Sequence, residues 1–247
     1  MTLIPSWSYT ALADFENCPK AYELKRVLKV AKEAQSEAMM HGNIVHKYFE
    51  DRIKTRKVLP TEYHKWEAFI GEMERRVSTG QWKDVQAEME IVFDNNLQQV
   101  GLWGQQQPRA WFDKRAWLRA KLDVVALTAP GKALVMDWKT GKRKPAADQL
   151  ELFAGVVFQA LPEVNQVTTM FGWLKEDKKD TQVFFRDGHA GDDDLVSPKS
   201  AADIWASWLA RLHRLEHAYK TGNWPATPSG LCGWCPATRA QCTFSKK

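Results

Sequence analysis

The stretch from Leu118 to Lys142 constrains the fold more than any other part of the chain. Two apolar runs rich in β-formers, Leu118-Arg119-Ala120-Lys121-Leu122-Asp123-Val124-Val125-Ala126 and Lys132-Ala133-Leu134-Val135-Met136-Asp137-Trp138-Lys139, flank the turn sequence Thr128-Ala129-Pro130-Gly131. A hairpin centred on Pro130 sets Asp123 directly across from Asp137. Side chains at i and i+2 of a strand share a face, so Lys139 joins the two acids. Metal-assisted phosphodiester hydrolysis needs hard oxygen ligands, a positioned water and positive charge against the phosphoryl oxygens. Asp123, Asp137 and Lys139 have that composition, and Lys142, Arg143 and Lys144 follow at once with charge suited to backbone phosphates. The same spacing equally describes a salt-bridged surface hairpin with a solvated basic turn.

The flanking sequence supplies layers for this hairpin. Ser8 is an N-cap candidate for a helix that Cys18-Pro19 closes, and residues 20–30 resume a helical pattern. A helix over 37–55 carries Met40, Ile44, Val45, Tyr48 and Phe49 on one side, with His41 and His46 in its first turns; another, over 62–79, follows Pro60 and ends at Gly80. Alternation from Val85 to Phe93 predicts a half-buried strand with Glu88 and Glu90 on its polar face; a solvated face is expected for both, and approach of one of them to the metal is the alternative. Residues 145–160 read as a helix with Pro145 in its first turn, 165–174 and 181–186 as strands, Asp187–Asp194 as an acidic surface loop, and 198–221 as a long amphipathic helix.

Composition narrows the class. A 247-residue chain with 44% hydrophobic and 26% charged residues buries a substantial core. A net charge of +5 permits a polyanionic partner. Most of the twelve tryptophans are expected in the core. No apolar run approaches the roughly 20 residues of a membrane span. The N-terminus lacks a charged region followed by an apolar core, so a reducing cytoplasm is the expected compartment. There, four cysteines point to metal ligands or buried thiols rather than disulfides. Cys232-Gly233-Trp234-Cys235 followed by Cys242 is a C-x2-C-x6-C knuckle, and Cys18 is the fourth. The set suits zinc or a [4Fe–4S] cluster, and spacing does not choose between them.

Five segments, in order, resemble the PD-(D/E)XK nuclease superfamily and in particular its RecB-like exonuclease branch, which includes CRISPR-associated exonucleases. These are Ser8-Tyr9-Thr10 through Cys18-Pro19, Gly42-Asn43-Ile44-Val45-His46 (G-x-x-x-H), Leu118 to Asp123 (a "GRID"-like strand), Asp137-Trp138-Lys139-Thr140-Gly141-Lys142 ("D-Y-K-T-G-K") and Gln149-Leu150-Glu151-Leu152-Phe153 (Q-x-x-x-Y). The resemblance implies Mg²⁺ or Mn²⁺ held by His46, Asp123, Asp137 and the Trp138 carbonyl, with Lys139 catalytic, Gln149 lining the site, and Lys142, Arg143 and Lys144 on DNA. It also implies a [4Fe–4S] cluster on Cys18, Cys232, Cys235 and Cys242, with zinc as the alternative. Leu122, Ala120 and Phe153 depart from the family's proline, glycine and tyrosine, and none of these changes removes a ligand or the lysine. His41 matches no family position and is read as structural.

The expected architecture is an α/β restriction-endonuclease-like core, a mixed sheet flanked by helices. It is taken as a single nuclease domain over 1–247: a helical region (1–80), a catalytic core (81–186), a loop and long helix (187–221) and a cysteine-rich tail (222–247) closing onto Cys18. The implied activity is exonucleolytic hydrolysis of DNA, at single-stranded ends and leaning 5′-to-3′, in recombination, repair or end processing. A non-catalytic DNA-binding module is the alternative. A third reading, the nuclease subunit of a helicase–nuclease complex, requires the motor on another chain, because no G-x-x-x-x-G-K-[ST] loop is present.

Overall fold

The computed structural model describes residues 4–101, 108–144, 148–191 and 193–247. Its helices are α1 (Tyr9–Asn17), α2 (Pro19–Tyr22, running on into a π-helical turn, Glu23–Val27), α3 (Glu37–Thr55), α4 (His64–Ser78), α5 (Pro108–Trp111), α6 (Asp148–Ala160) and α7 (Ala201–Thr221). The strands are β1 (Asp84–Phe93), β2 (Leu118–Ala129), β3 (Lys132–Lys139), β4 (Gln166–Trp173) and β5 (Lys178–Phe185), in sheet order β1-β2-β3-β4-β5. Only the β3–β4 pair is parallel, and α6 connects those two strands. The result is the expected mixed sheet flanked by helices. No helix among the described residues is long and apolar enough to cross a membrane. Two compact units emerge: Ala38–Ser207, and Met1–Glu37 together with Trp208–Lys247.

In the larger unit, β2 and β3 are buried along most of their length, which explains their near-continuous apolar sequences. One face packs Val124, Ala126, Leu134, Met136 and Trp138 against Val45 and Phe49 of α3 and Trp66, Ile70 and Met73 of α4. On α3, Met40 and Ile44 lie outside this core, 44% and 51% exposed; helical spacing grouped them with Val45 and Phe49 because it cannot tell a core stripe from its margin. The pairs Val124↔Met136 through Leu127↔Ala133 keep the register of a hairpin about Pro130, with an irregularity between Leu127 and Ala129. Gly131 takes φ +72, a conformation that favours glycine, and its carbonyl accepts from the Asn165 and Gln166 amides at the start of β4.

Two other elements differ from expectation. Strand β5 begins at Lys178, three residues before its apolar pattern, because an edge strand carries charge without penalty. The π-helical turn interrupts the helix expected over 20–30. Pro145 lies outside the described residues, and α6 is described from Asp148. At the far end of that helix, Arg186 donates to the carbonyls of Phe158, Leu161 and Val164, which satisfies carbonyls a helix C-terminus leaves open.

The smaller unit joins α1 and α2 to the end of α7 and the C-terminal tail. Ser8 Oγ caps α1 by accepting from the Ala11 amide (3.3 Å). Tyr22 stacks on Trp224 at 5.8 Å, with Phe15 and Tyr219 packed edge-on around them. Glu16 receives both Arg211 and Arg214. Cys18 is the C-cap of α1 and precedes Pro19, the first residue of α2.

Candidate metal centre

Hairpin alternation puts Asp123 and Asp137 on the sheet face opposite Val124 and Met136, and Lys139 follows Asp137 on that face. Lys139 Nζ lies 2.5 Å from Asp137 Oδ2 and donates to Gln149 Oε1 of α6 at 2.8 Å, while Gln149 Nε2 reaches Asp137 Oδ1 at 3.4 Å. The Lys139 ammonium also sits 4.6 Å from the centre of the Phe171 ring. Lys139 is thereby held in one place.

Asp123 sits at the junction of three elements. Its Oδ2 accepts the Trp138 amide at 2.7 Å and lies 3.1 Å from His46 Nδ1 of α3. Both contacts fall on Oδ2, leaving Oδ1 for a cation. The start of α3 runs close to the turn after β3, where a Cβ at Gly42 would stand 3.5 Å from Thr140 Oγ1.

The groups that gather at metal-ligand distance are His46, Asp123 and Glu88, whose ligand atoms lie within 4.8 Å of one another. The sequence reading grouped His46 and Asp123 with Asp137. In the structure Asp137 is engaged with Lys139 and Gln149, and Glu88 stands in the gathered set. Of the two settings the sequence allows for Glu88, a solvated face and an approach to the metal, the structure fits the second: its side chain is only 11% exposed and ion-paired with Lys121. It has φ +57, within a ladder that keeps register on both sides, Ala87↔Val124 and Met89↔Leu122. It therefore lies opposite Asp123 on the neighbouring strand β2. The β1–β2 connection spans more than twenty residues, so no short turn in the sequence fixes this register.

Electrostatics mark the same cluster. Burial and the neighbouring Asp123 charge push the Asp137 carboxyl up to about 6, against the pull of Lys139 and His46. Burial opposes the His46 imidazolium, but its hydrogen bond to Asp123 and the charges of Asp123, Asp137 and Glu88 outweigh that and hold it above its usual value. Burial raises Glu88 despite the opposing Lys121. Crowded carboxylates that resist ionisation together are relieved by a divalent cation, and His46, Asp123 and Glu88 offer the nitrogen and oxygen donors for one.

The basic turn divides. Arg143 pairs with Asp180, which also accepts from Trp173 Nε1 at 2.7 Å, and the Arg143 amide donates to Glu176. Lys142 and Lys144 are exposed. Of the family departures, Leu122 pairs with Met89 in the ladder, and Ala120 and Phe153 are buried.

The four cysteines lie together in the smaller unit. Cys18, Cys232, Cys235 and Cys242 line one cavity and form no disulfide. The amides of Thr227 and Ser229 point at Cys18 Sγ and Cys232 Sγ, each at 3.4 Å.

Among solved structures, the chain is similar to a protein from Eubacterium rectale described as "Putative exonuclease" (15% identity, TM-score 0.48, covering 94% of this chain and 87% of the other). It is also similar to SSO0001 (11% identity, TM-score 0.45, covering 96% and 85%). No curated protein sequence matches it. A family model described as the PD-(D/E)XK nuclease superfamily matches residues 6–243. That match takes in the hairpin, the helix carrying His46 and all four cysteines, and the chain belongs to the PD-(D/E)XK nuclease superfamily.

Proposed function

We propose that the chain is a Mg²⁺- or Mn²⁺-dependent exonuclease that hydrolyses DNA at single-stranded ends, with 5′-to-3′ polarity, in the reducing cytoplasm. The observation that carries this reading is the convergence of His46, Asp123 and the Asp137–Lys139–Gln149 chain at one end of the hairpin. A bound divalent ion supplies charge neutralisation and Lewis acidity at the scissile phosphate. Asp123 is the pivotal ligand, fixed by the Trp138 amide; His46 and Asp137 flank it. Lys139, aligned by Gln149, directs its ammonium at the attacking water or at the charge developing on the phosphoryl oxygens. Lys142 and Lys144 serve as backbone-phosphate contacts, with Arg143 bracing the turn through Asp180. Polarity and strand preference rest on the family resemblance, as does pairing with a separate helicase chain.

The test uses 5′- and 3′-labelled single-stranded DNA with Mn²⁺ or Mg²⁺. The wild type releases short products from the 5′ end, and Lys139→Met lowers the rate by about 10²–10³-fold, the scale for removing one charge-stabilising donor. Equal rates for wild type and Lys139→Met, or no metal-dependent cleavage by wild type, would overturn the reading.

The cysteine cavity suits a [4Fe–4S] cluster with a structural role, joining the N-terminal and C-terminal segments of the smaller unit. Its fit rests on four free thiols around one cavity and on amide donors to sulfur, which favour thiolate ligation. Four thiolates suit zinc equally, so the choice of a [4Fe–4S] cluster rests on the family resemblance. An anaerobic preparation is expected to be brown and to contain about four irons per chain, and Cys235→Ser to lose both colour and iron. A colourless protein carrying one zinc would reject the cluster.

A further inference from the structure

Glu88 and Lys121 are the two charged groups at the centre that the hydrolysis scheme above does not use. Lys121 precedes Asp123 by two residues on β2 and so shares its face. Its ammonium pairs with Glu88, and its side chain is 49% exposed where that of Glu88 is 11% exposed. The lysine therefore lies between solvent and a carboxylate whose oxygens are within ligand distance of Asp123 and His46. Two cations, the ammonium and a divalent ion, would compete for one buried carboxylate. The charges of Glu90 and Glu50 also act on Lys121, so the ammonium has acidic neighbours to turn to when it leaves Glu88.

We propose that Glu88 is a protein ligand of the divalent ion and that Lys121 is the counter-ion this metal displaces. The inference rests on the nuclease reading of the centre. Three carboxylates, Glu88, Asp123 and Asp137, face two ammonium groups, Lys121 and Lys139, and the imidazole of His46. Lys139 stays with Asp137 and Gln149, whereas Lys121 is the cation nearer solvent and the one able to swing away. The positive φ of Glu88 adds a second reason: a non-glycine residue holds this conformation in mid-strand only where its surroundings impose it. Lys121 is thus a positioning residue, holding the Glu88 carboxylate in place before the metal arrives.

The experiment is a Mn²⁺ titration of the full-length protein without DNA, following free Mn²⁺ by electron paramagnetic resonance. Glu88→Gln is expected to raise the Kd for Mn²⁺ by at least about tenfold. Lys121→Met, which leaves every carboxylate in place, is expected to lower it by about threefold, the scale of a partly exposed ion pair. In the double variant most of the Lys121→Met gain should be lost, leaving only the small direct effect of removing a half-exposed positive charge near the ion. Wild-type affinity in Glu88→Gln, or weaker binding in Lys121→Met, would overturn the proposal. Asp123→Asn separates the failures: if it abolishes binding while Glu88→Gln does not, this inference alone falls, and if neither matters, the nuclease centre falls with it. Should Glu88→Gln fail to fold, Lys121→Met alone decides between tighter and unchanged or weaker binding.

Discussion

Asp123→Ala is expected to abolish metal-dependent cleavage and to weaken Mn²⁺ binding by more than about a hundredfold, whereas Asp123→Asn loses cleavage but keeps the fold intact. The difference follows from the two tasks of one oxygen. Asp123 Oδ2 accepts the buried Trp138 amide and contacts His46 Nδ1. Alanine removes the ligand and leaves a buried N–H without an acceptor, which costs about 1–3 kcal/mol. Asparagine still offers a carbonyl to Trp138 but no charge to the metal. Stability and activity therefore separate in the pair of variants.

The same substitutions carry a pH signature. In the metal-free protein the Asp137 carboxyl is pushed up to about 6 from an unfolded value near 3.8. A folded value above the unfolded one means that this group's stabilisation is present below pH 4 and is lost as pH rises through about 6. His46, held above its usual value, acts in the same direction at higher pH: its contribution is present below about 6.5 and lost above its folded value. Metal-free wild type should therefore melt at progressively lower temperature across this range. Asp123→Asn removes a charge that raises both groups, so its melting temperature should fall less over the same interval. Mn²⁺ should stabilise the wild type more at pH 7.5 than at pH 5, because binding needs the carboxylates ionised and the imidazole neutral. Parallel thermal melts of the two proteins, with and without Mn²⁺, check all three statements.

How much of this was legible depended on sequence distance. The Asp123–Asp137 face could be read because a tight turn at Pro130-Gly131 fixes the register of β2 against β3 within a few residues. Lys139 followed from period two and α6 from an apolar helical stripe, while Gln149 as a site residue followed from the family pattern. Glu88 could be read only as one of two acids, with Glu90, able to approach the metal, because its strand joins β2 through a long connection and its backbone leaves the β region. The partner of Arg143, Asp180, is 37 residues away on an edge strand whose charged start hid its strand character. His46 was legible only through the family pattern, since periodicity on α3 cannot say that one histidine reaches the sheet while Met40 and Ile44 face outward. Tertiary proximity supplied what local pattern left open.

Gly172→Ala is expected to cripple the centre from outside it. Gly172 lies on β4 directly paired with Trp138, and a Cβ there would come within 2.7 and 2.9 Å of the Trp138 ring and 3.2 Å of Trp66. The Trp138 ring has nowhere to retreat, since Phe49 lies at 4.3 Å and Trp66 at 5.3 Å between ring centres, and Trp138 itself is 2% exposed. Overpacking of this kind costs about 1–3 kcal/mol, which in a chain of this size lowers Tm by roughly 2–12 °C. The larger effect should be on activity. Trp138 separates Asp137 from Lys139 and donates its amide to Asp123, so any shift that relieves the ring displaces all three groups together. A misplacement of about 1 Å at such a site is worth on the order of a hundredfold in rate. Trp138→Phe removes one ring of the indole, and adding it to Gly172→Ala should restore part of both the Tm and the cleavage rate. Rescue of Tm without rescue of rate would mean that the tryptophan packs the core but does not align the metal centre. Rescue of both would establish the Gly172–Trp138 contact as what sets the spacing between Asp123, Asp137 and Lys139.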